Sequence, residues 1–153
     1  MSLEAQNIPE IINIYNETLY IDFSSNVANT IVKGEKEAQV SVFVLTKDFN
    51  QEAELFLEKM LQACQLSKAT YKIVVLEMEA YALANYRQYK SDINLFFGFS
   101  LENDVFAMKR AYNKPFRFNE KKWLISQSLA ELMQNVNLKS ELWVHGLKVL
   151  FSI

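Results

Sequence analysis

Glycine, proline, cysteine and histidine are all scarce in this 153-residue chain, which has 3 glycines, 2 prolines, 1 cysteine and 1 histidine. A single cysteine excludes an internal disulfide framework, and no cysteine and histidine set has the spacing of a metal site. Three glycines are too few for the glycine-rich loops that cradle phosphates, which argues against nucleotide hydrolysis. No apolar run approaches the ~20 residues that span a bilayer. We therefore expect a cytoplasmic protein with no metal, no cofactor and no membrane contact.

The composition fits one domain better than two. Half of the residues are hydrophobic, and a chain of this length can bury one sizeable core. The formal net charge of −2, from 16 basic and 18 acidic residues, gives no overall attraction to nucleic acid or to anionic lipid. Any contact of that kind must be local.

The hydrophobic pattern predicts alternating strands and helices. Short runs rich in β-branched and aromatic residues predict strands at residues 19–23, 40–45, 71–76, 93–97 and 123–125. Helical periodicity is clearest at residues 50–66, and further helices are expected at residues 9–15, 80–90, 101–112, 129–135 and 138–151. A strand followed by a helix and another strand implies parallel pairing. The expected fold is α/β, a three-layer helix-sheet-helix sandwich around a mainly parallel central sheet of four to five strands.

Two capping boxes are predicted at helix starts. Asp48 and Gln51 could begin the helix at residues 50–66, and Ser128 and Glu131 could begin the helix at residues 129–135. In a capping box each side chain satisfies a backbone donor of the first helical turn.

The two residues most often used for nucleophilic or acid-base chemistry have ordinary structural interpretations. His145 is the only histidine, and it lies beside the apolar line of its helix, as a boundary residue between the polar and apolar faces does. Cys64 lies in the middle of an apolar helical stripe, where a thiol behaves as a small hydrophobic group. We expect neither residue to be catalytic.

Several polar or flexible residues follow predicted strands. Asp48 follows one strand, Glu77 and Glu79 follow the next, and Gly98 follows a third. Carboxylates at one sheet edge could bind a metal or activate water, although acidic residues in loops are more often simply solvated. Gly98 could allow a tight turn where open α/β sheets place ligands, or it could simply end its strand before a helix.

Residues 109–122 contain a cluster of basic residues interleaved with aromatic residues. Such a combination can bind single-stranded nucleic acid through phosphate contacts and base stacking. A solvated loop around Pro115 is the alternative interpretation. The candidate nucleic-acid-binding residues are Lys109, Arg110, Lys114, Arg117, Lys121 and Lys122, with the aromatics Tyr112, Phe116 and Phe118.

The segment at residues 8–20 is strongly apolar for the end of a chain. It could pack on its own domain, or it could dock into a groove on a partner as a short amphipathic helix. The candidate partner-binding residues are Ile8, Ile11, Ile12, Tyr15, Leu19 and Tyr20.

The order of these elements resembles that of the uracil-DNA glycosylase superfamily. Leu132, Asn135, Lys139 and Trp143 fit the frame that follows the last strand in that family. The departures fall on the residues that carry the chemistry. The loop at residues 46–50 lacks the family's glycines and proline, and Ser128 stands where the family has its histidine. Further along, Leu129 and Val136 replace two prolines, and Gln134 replaces an arginine.

The resemblance therefore implies a glycosylase-like scaffold with a degenerate active site, at Asp48, Asn50, Gly98 and Ser128. Without a histidine to stabilise the departing base, a glycosylase loses an electrostatic contribution of several kcal/mol. We expect no catalysis.

One family keeps this scaffold without its active site, and the chain resembles it in the order of its elements. This family is the psi subunit of the bacterial DNA polymerase III clamp loader. The resemblance implies a non-enzymatic adaptor in DNA replication, whose N-terminal docking segment (residues 1–24) contacts the clamp-loader ATPase subunits. A single α/β domain at residues 25–153 would then hold a chi-like subunit.

Two other functions compete with the adaptor. The first is a single-stranded nucleic-acid-binding module that uses the basic cluster on a degenerate glycosylase fold. The second is a hydrolase built on Asp48 and Glu77.

Overall fold

The computed structural model describes residues 30–77, 89–101 and 111–153. All of the elements below belong to one unit of the chain, residues 31–153. The strand predicted at residues 19–23 and the helix predicted at residues 9–15 lie outside the described residues. Most of the helices predicted at residues 80–90 and 101–112 also lie outside them.

A mixed β-sheet forms the centre of this unit. The described residues contribute six strands, in the spatial order β1-β3-β2-β4-β6-β5. They are β1 (Ile31–Gly34), β2 (Val40–Leu45), β3 (Tyr71–Leu76), β4 (Ile93–Phe97), β5 (Phe116–Phe118) and β6 (Lys121–Ser126). The four inner strands are parallel, whereas β1 pairs with β3 and β5 pairs with β6 in antiparallel directions.

The expectation of a mainly parallel sheet of four to five strands is therefore wrong, while the α/β class is confirmed. The two unpredicted strands, β1 and β5, are the sheet edges. All residues of β1 are exposed, and β5 has only three residues, none of them fully buried. Neither strand therefore carries the run of buried apolar residues by which the inner strands can be recognised.

Helices cover one face of the sheet. They are α1 (Gln51–Ala63), α2 (Leu129–Gln134), α3 (Val136–Glu141) and α4 (Lys148–Phe151), with a π-helical segment at Leu142–Leu147 between α3 and α4. In the part of the chain that the structure describes, no helix is both long enough and apolar enough to cross a membrane.

The two predicted capping boxes have different outcomes. The first is wrong: Asp48 ends a short 3₁₀ turn, and Asn50 caps α1 by accepting a hydrogen bond from the Ala53 backbone N–H at 2.8 Å. The chain needs the 3₁₀ turn to pass from β2 into α1, and this shifts the N-cap two residues beyond Asp48, to Asn50. The second is confirmed, since Ser128 and Glu131 form a complete capping box at α2.

Buried side chains fill both faces of the sheet, because alternate residues of each inner strand point to opposite sides. On the helical side, side chains such as Val42 and Leu95 pack against Leu57 and Leu129. Each fully buried leucine of this kind contributes about 1.5–3 kcal/mol relative to an exposed one. On the other side, an aromatic cluster includes Phe43, Phe96, Phe99 and Trp123, with the Phe43 and Phe96 ring centroids 4.6 Å apart.

The lone cysteine is a core residue, as predicted. Cys64 is buried at the end of α1 and packs in the helical-side core. Burial raises the pKa of its thiol to about 11, so the thiolate needed for nucleophilic chemistry is scarce at neutral pH. His145 is exposed on the π-helical segment, which places it at the solvent side of the boundary predicted for it.

Candidate functional site

A polar cleft lies at the carboxyl ends of the inner strands, where open α/β sheets place ligands. It has a volume of about 410 Å³. Three of the four predicted degenerate active-site residues, Asp48, Gly98 and Ser128, line it. They follow β2, β4 and β6, which are neighbours in the sheet. The fourth, Asn50, does not line the cleft, because its side chain caps α1.

Gly98 allows the segments that follow β2, β4 and β6 to approach one another closely. Its φ of +85° is in the left-handed region, and its backbone N–H donates to the carbonyl oxygen of Ser126 at 3.1 Å. A Cβ at this position would lie 2.9 Å from the Asp48 Oδ2 and 3.4 Å from the Ser128 Cβ. Only glycine satisfies both the backbone conformation and the limited space.

Asp48 is the one acid of the cleft with an unused buried oxygen. Within the part of the chain that is described, its buried Oδ2 has no hydrogen-bond partner. The pKa of this carboxyl is raised, mainly because burial disfavours the charged form, and Glu131 adds to the shift while Lys47 opposes it. Asp48 is therefore the cleft residue best suited to hold or accept a proton.

Ser128 and Glu131 are both engaged in helix capping. The Ser128 Oγ accepts from the Glu131 backbone N–H, and the Glu131 Oε1 accepts from the Ser128 N–H and hydroxyl, each at 3.2 Å. The resemblance places a histidine at position 128, whereas the Ser128 side chain found there stabilises the start of α2. Ser128 has neither the charge nor the reach of an imidazolium for stabilising a leaving group.

Six residues line the cleft that were not predicted from the sequence to lie there, namely Lys47, Phe99, Ser100, Tyr112, Gln127 and Glu131. Gln127 is oriented by Asn113, whose buried side chain donates to the Gln127 Oε1 at 3.2 Å and accepts from the Ser126 hydroxyl at 2.6 Å. Asn113 has a φ of +62°. An asparagine two residues before Pro115 was the one available signal, because asparagine tolerates the left-handed conformation better than most residues.

The predicted carboxylate pair is not brought together in the cleft. Glu77 is exposed after β3 and is not among the residues that line the cleft, and Glu79 lies outside the described residues. Across the described ranges, no group of three or more histidine, cysteine or acidic side chains could hold a metal ion. Glu131 is the second carboxylate at the cleft.

The basic cluster is split between exposed charges and packed aromatic residues. Lys114 and Arg117 are exposed, and Lys121 forms an ion pair with Asp92 at 3.3 Å. Phe116 and Phe118 are half-buried against the aromatic core, with Phe118 edge-on to Trp123. Tyr112 packs there as well. Lys109 and Arg110 lie outside the described residues.

The candidate partner-binding residues all lie outside the described residues. They are Ile8, Ile11, Ile12, Tyr15, Leu19 and Tyr20.

Neither the models of known protein families nor the curated proteins contain a match to this chain.

Proposed function

We propose that this protein is a non-enzymatic adaptor of the psi type, built on a degenerate glycosylase-like scaffold. In this proposal the fold is a three-layer helix-sheet-helix sandwich. The apolar N-terminal segment, residues 1–24, docks onto the ATPase subunits of a bacterial clamp loader, and the α/β domain is free to hold a chi-like subunit.

The observation that carries the proposal is the combination of residues in the cleft. Asp48, Gly98 and Ser128 meet at the strand ends where the glycosylase resemblance places an active site. Two of the four predicted site residues, Asn50 and Ser128, cap helices. The only histidine of the sequence, His145, does not line the cleft as the structure describes it. A scaffold with these replacements supports binding through its surfaces better than glycosyl transfer.

The burial of the aromatic core on the second face of the sheet supports the sandwich architecture. Phe43, Phe96 and Trp123 are at most 5% exposed, so the second face of the sheet also carries a buried core. A sheet buried on both faces is the arrangement of a three-layer α/β domain.

The test of the proposal is complex formation with the clamp-loader ATPase subunit of the same organism, measured by size-exclusion chromatography at moderate salt. We expect the full-length chain to co-elute with that subunit. The double substitution Ile11→Asp and Leu19→Asp should abolish co-elution, because it places charges in the apolar docking segment.

A matched control is Val149→Asp, which makes the same kind of exchange at a 60% exposed apolar residue of α4. It should leave co-elution unchanged. If the wild-type chain elutes separately from the ATPase subunit, or if the docking-segment variant binds as well as the wild type, the adaptor proposal is wrong.

A glycosylase assay tests the non-enzymatic part of the proposal separately. We expect no release of uracil from uracil-containing DNA. Turnover that disappears in Asp48→Asn would instead support the hydrolase, because Asp48 is the cleft carboxyl with a raised pKa.

The nucleic-acid-binding module is the second candidate, supported by the exposed charges of Lys114 and Arg117. Because Phe116 and Phe118 pack against the core, these two rings do not offer the open stacking platform that single-strand binders use. The triple substitution of Lys114, Arg117 and Lys121 by alanine tests it. Salt-dependent binding of single-stranded DNA that falls in the triple variant would favour this candidate, and unchanged affinity would remove it.

A further inference from the structure

A second and larger cavity lies at the opposite end of the sheet, beside the amino ends of the inner strands. Its volume is about 650 Å³, within the usual range of small-molecule sites. Four lysines line it, namely Lys36, Lys72, Lys90 and Lys121, together with two acidic residues, Glu37 and Asp92. The cavity wall therefore carries two positive charges in excess, in a chain whose net charge is −2.

Lys72 is the most unusual of these lysines, because it is only 6% exposed. Its Nζ donates to the backbone carbonyl oxygen of Lys36 at 3.0 Å, and no carboxylate in the described part of the chain forms an ion pair with it. Burial lowers the pKa of its ammonium group, and the charge of Lys36 adds to this effect while Glu37 opposes it. A buried ammonium with one neutral acceptor still has two N–H donors available for a ligand.

The backbone holds Lys72 firmly at the cavity. Lys72 pairs with Gly34 across the β1–β3 ladder. A Cβ on Gly34 would lie 2.7 Å from the Tyr71 carbonyl oxygen and 3.0 Å from the Lys72 Cα. The absence of a side chain at Gly34, whose φ is +112°, therefore lets the end of β1 approach Lys72.

A network of buried polar groups forms the adjoining wall. The hydroxyls of Ser41 and Ser91 are 2.7 Å apart, and Ser91 also donates to the Ala38 carbonyl oxygen at 2.7 Å. The Ser91 backbone N–H donates to the Asn94 Oδ1 at 2.8 Å. These bonds fix the segment that carries Lys90 and Asp92, so the cavity is built from rigid elements.

The remaining lysines differ in how far they are neutralised. Lys121 pairs with Asp92 at 3.3 Å, whereas Lys36 and Lys90 have no ion pair in the described ranges. Positive charge in a concave, partly desolvated site attracts anions more strongly than the same charge on an open surface.

We propose that this cavity binds a small phosphate-bearing molecule, with Lys72 as the buried contact and Lys36 and Lys90 as contacts at its rim. Phosphate fits this arrangement because it offers several acceptor oxygens to lysines that approach from different sides. The lining residues form one concave cavity rather than an extended groove, which favours a small molecule over a polynucleotide. The site is separate from the cleft at the carboxyl ends of the strands.

The test is isothermal titration of the full-length protein with pyrophosphate at low ionic strength. We expect saturable binding with one site per chain. Lys72→Met and Lys90→Met should each weaken binding at least about tenfold, since each removes a charged hydrogen-bond donor. Lys59→Met is the matched control, because Lys59 is an exposed lysine of α1 that does not line the cavity, and it should bind as the wild type does.

Removing an acidic residue of the wall gives the opposite prediction. Glu37→Gln should increase the affinity for pyrophosphate several-fold, because it removes a negative charge that repels the ligand. Circular dichroism of each variant establishes that it is folded, and Lys90→Met and Glu37→Gln keep the proposal testable if Lys72→Met does not fold.

Titrations with inorganic phosphate and with ADP distinguish the source of the phosphate group. Tighter binding of ADP than of pyrophosphate would indicate a nucleotide, and equal or weaker binding would indicate a ligand recognised by phosphate alone. No binding of any of the three probes would overturn the proposal. Binding that is unchanged in Lys72→Met, in Lys90→Met and in Lys59→Met alike would also overturn it.

Discussion

Replacement of Gly98 by alanine tests whether the strand ends meet as closely as the structure indicates. A φ of +85° costs a residue with a Cβ about 1–2 kcal/mol. The new Cβ would also lie 2.9 Å from the Asp48 Oδ2, and overpacking of this kind costs about 1–3 kcal/mol. We therefore expect Gly98→Ala to lower the free energy of unfolding by about 2–5 kcal/mol.

A double-mutant cycle separates the two contributions. In an Asp48→Ala background the close contact is absent, so Gly98→Ala should cost only the backbone term of about 1–2 kcal/mol. The coupling energy between the two positions should then be about 1 kcal/mol or more, which exceeds the ~0.3–0.5 kcal/mol scatter of independent sites. Urea denaturation of the wild type, both single variants and the double variant measures it.

Glu77→Ala provides the control for this cycle, because Glu77 follows a neighbouring strand but does not line the cleft. Its effect should add to that of Gly98→Ala without coupling. If Gly98→Ala costs less than about 1 kcal/mol, or if its cost is the same with and without the Asp48 carboxylate, Gly98 and Asp48 do not approach each other as closely as described.

Three further changes test individual parts of the structure. Asp48→Asn should stabilise the protein at pH 7, because burial raises the folded-state pKa of Asp48 above 3.8 and makes its charged form unfavourable in the folded protein. The gain measured by urea denaturation should vanish below pH 3.8, where Asp48 is protonated in both states, and a gain that does not change with pH would contradict this. Glu120→Gly should raise the urea midpoint by the equivalent of about 0.5–1 kcal/mol. Glu120 has a φ of +65° in the turn between β5 and β6, a conformation that glycine adopts without steric cost. A lower midpoint would count against the turn geometry. Ser128→Ala should cost about 1 kcal/mol in thermal denaturation through loss of the capping box, and an unchanged melting temperature would mean that the cap is not formed.

Local patterns in the sequence were sufficient for the inner part of the fold. The inner strands β2, β3, β4 and β6 are runs of apolar residues that are buried on both faces, and such runs can be recognised without knowledge of their partners. The capping box of Ser128 and Glu131 depends only on residues three apart, so it too was predictable.

The candidate site was predictable only in its position. The resemblance placed Asp48, Asn50, Gly98 and Ser128 at one site, and three of the four line the cleft because the carboxyl ends of neighbouring parallel strands meet at one sheet edge. The presence of Glu131 and Gln127 in the cleft was not predictable, because it depends on how α2 and the Asn113 turn pack above the strand ends.

Residue type and short spacing are enough to predict which segments are buried and where α1 and α2 lie, because both depend on local patterns. The antiparallel edge strands β1 and β5, the buried Asp48 oxygen without a hydrogen-bond partner in the described part of the chain, and the burial of Lys72 became visible only in the folded chain. These features depend on contacts between residues far apart in the chain. Desolvation and hydrogen-bond geometry arise from those contacts, and no local pattern encodes them.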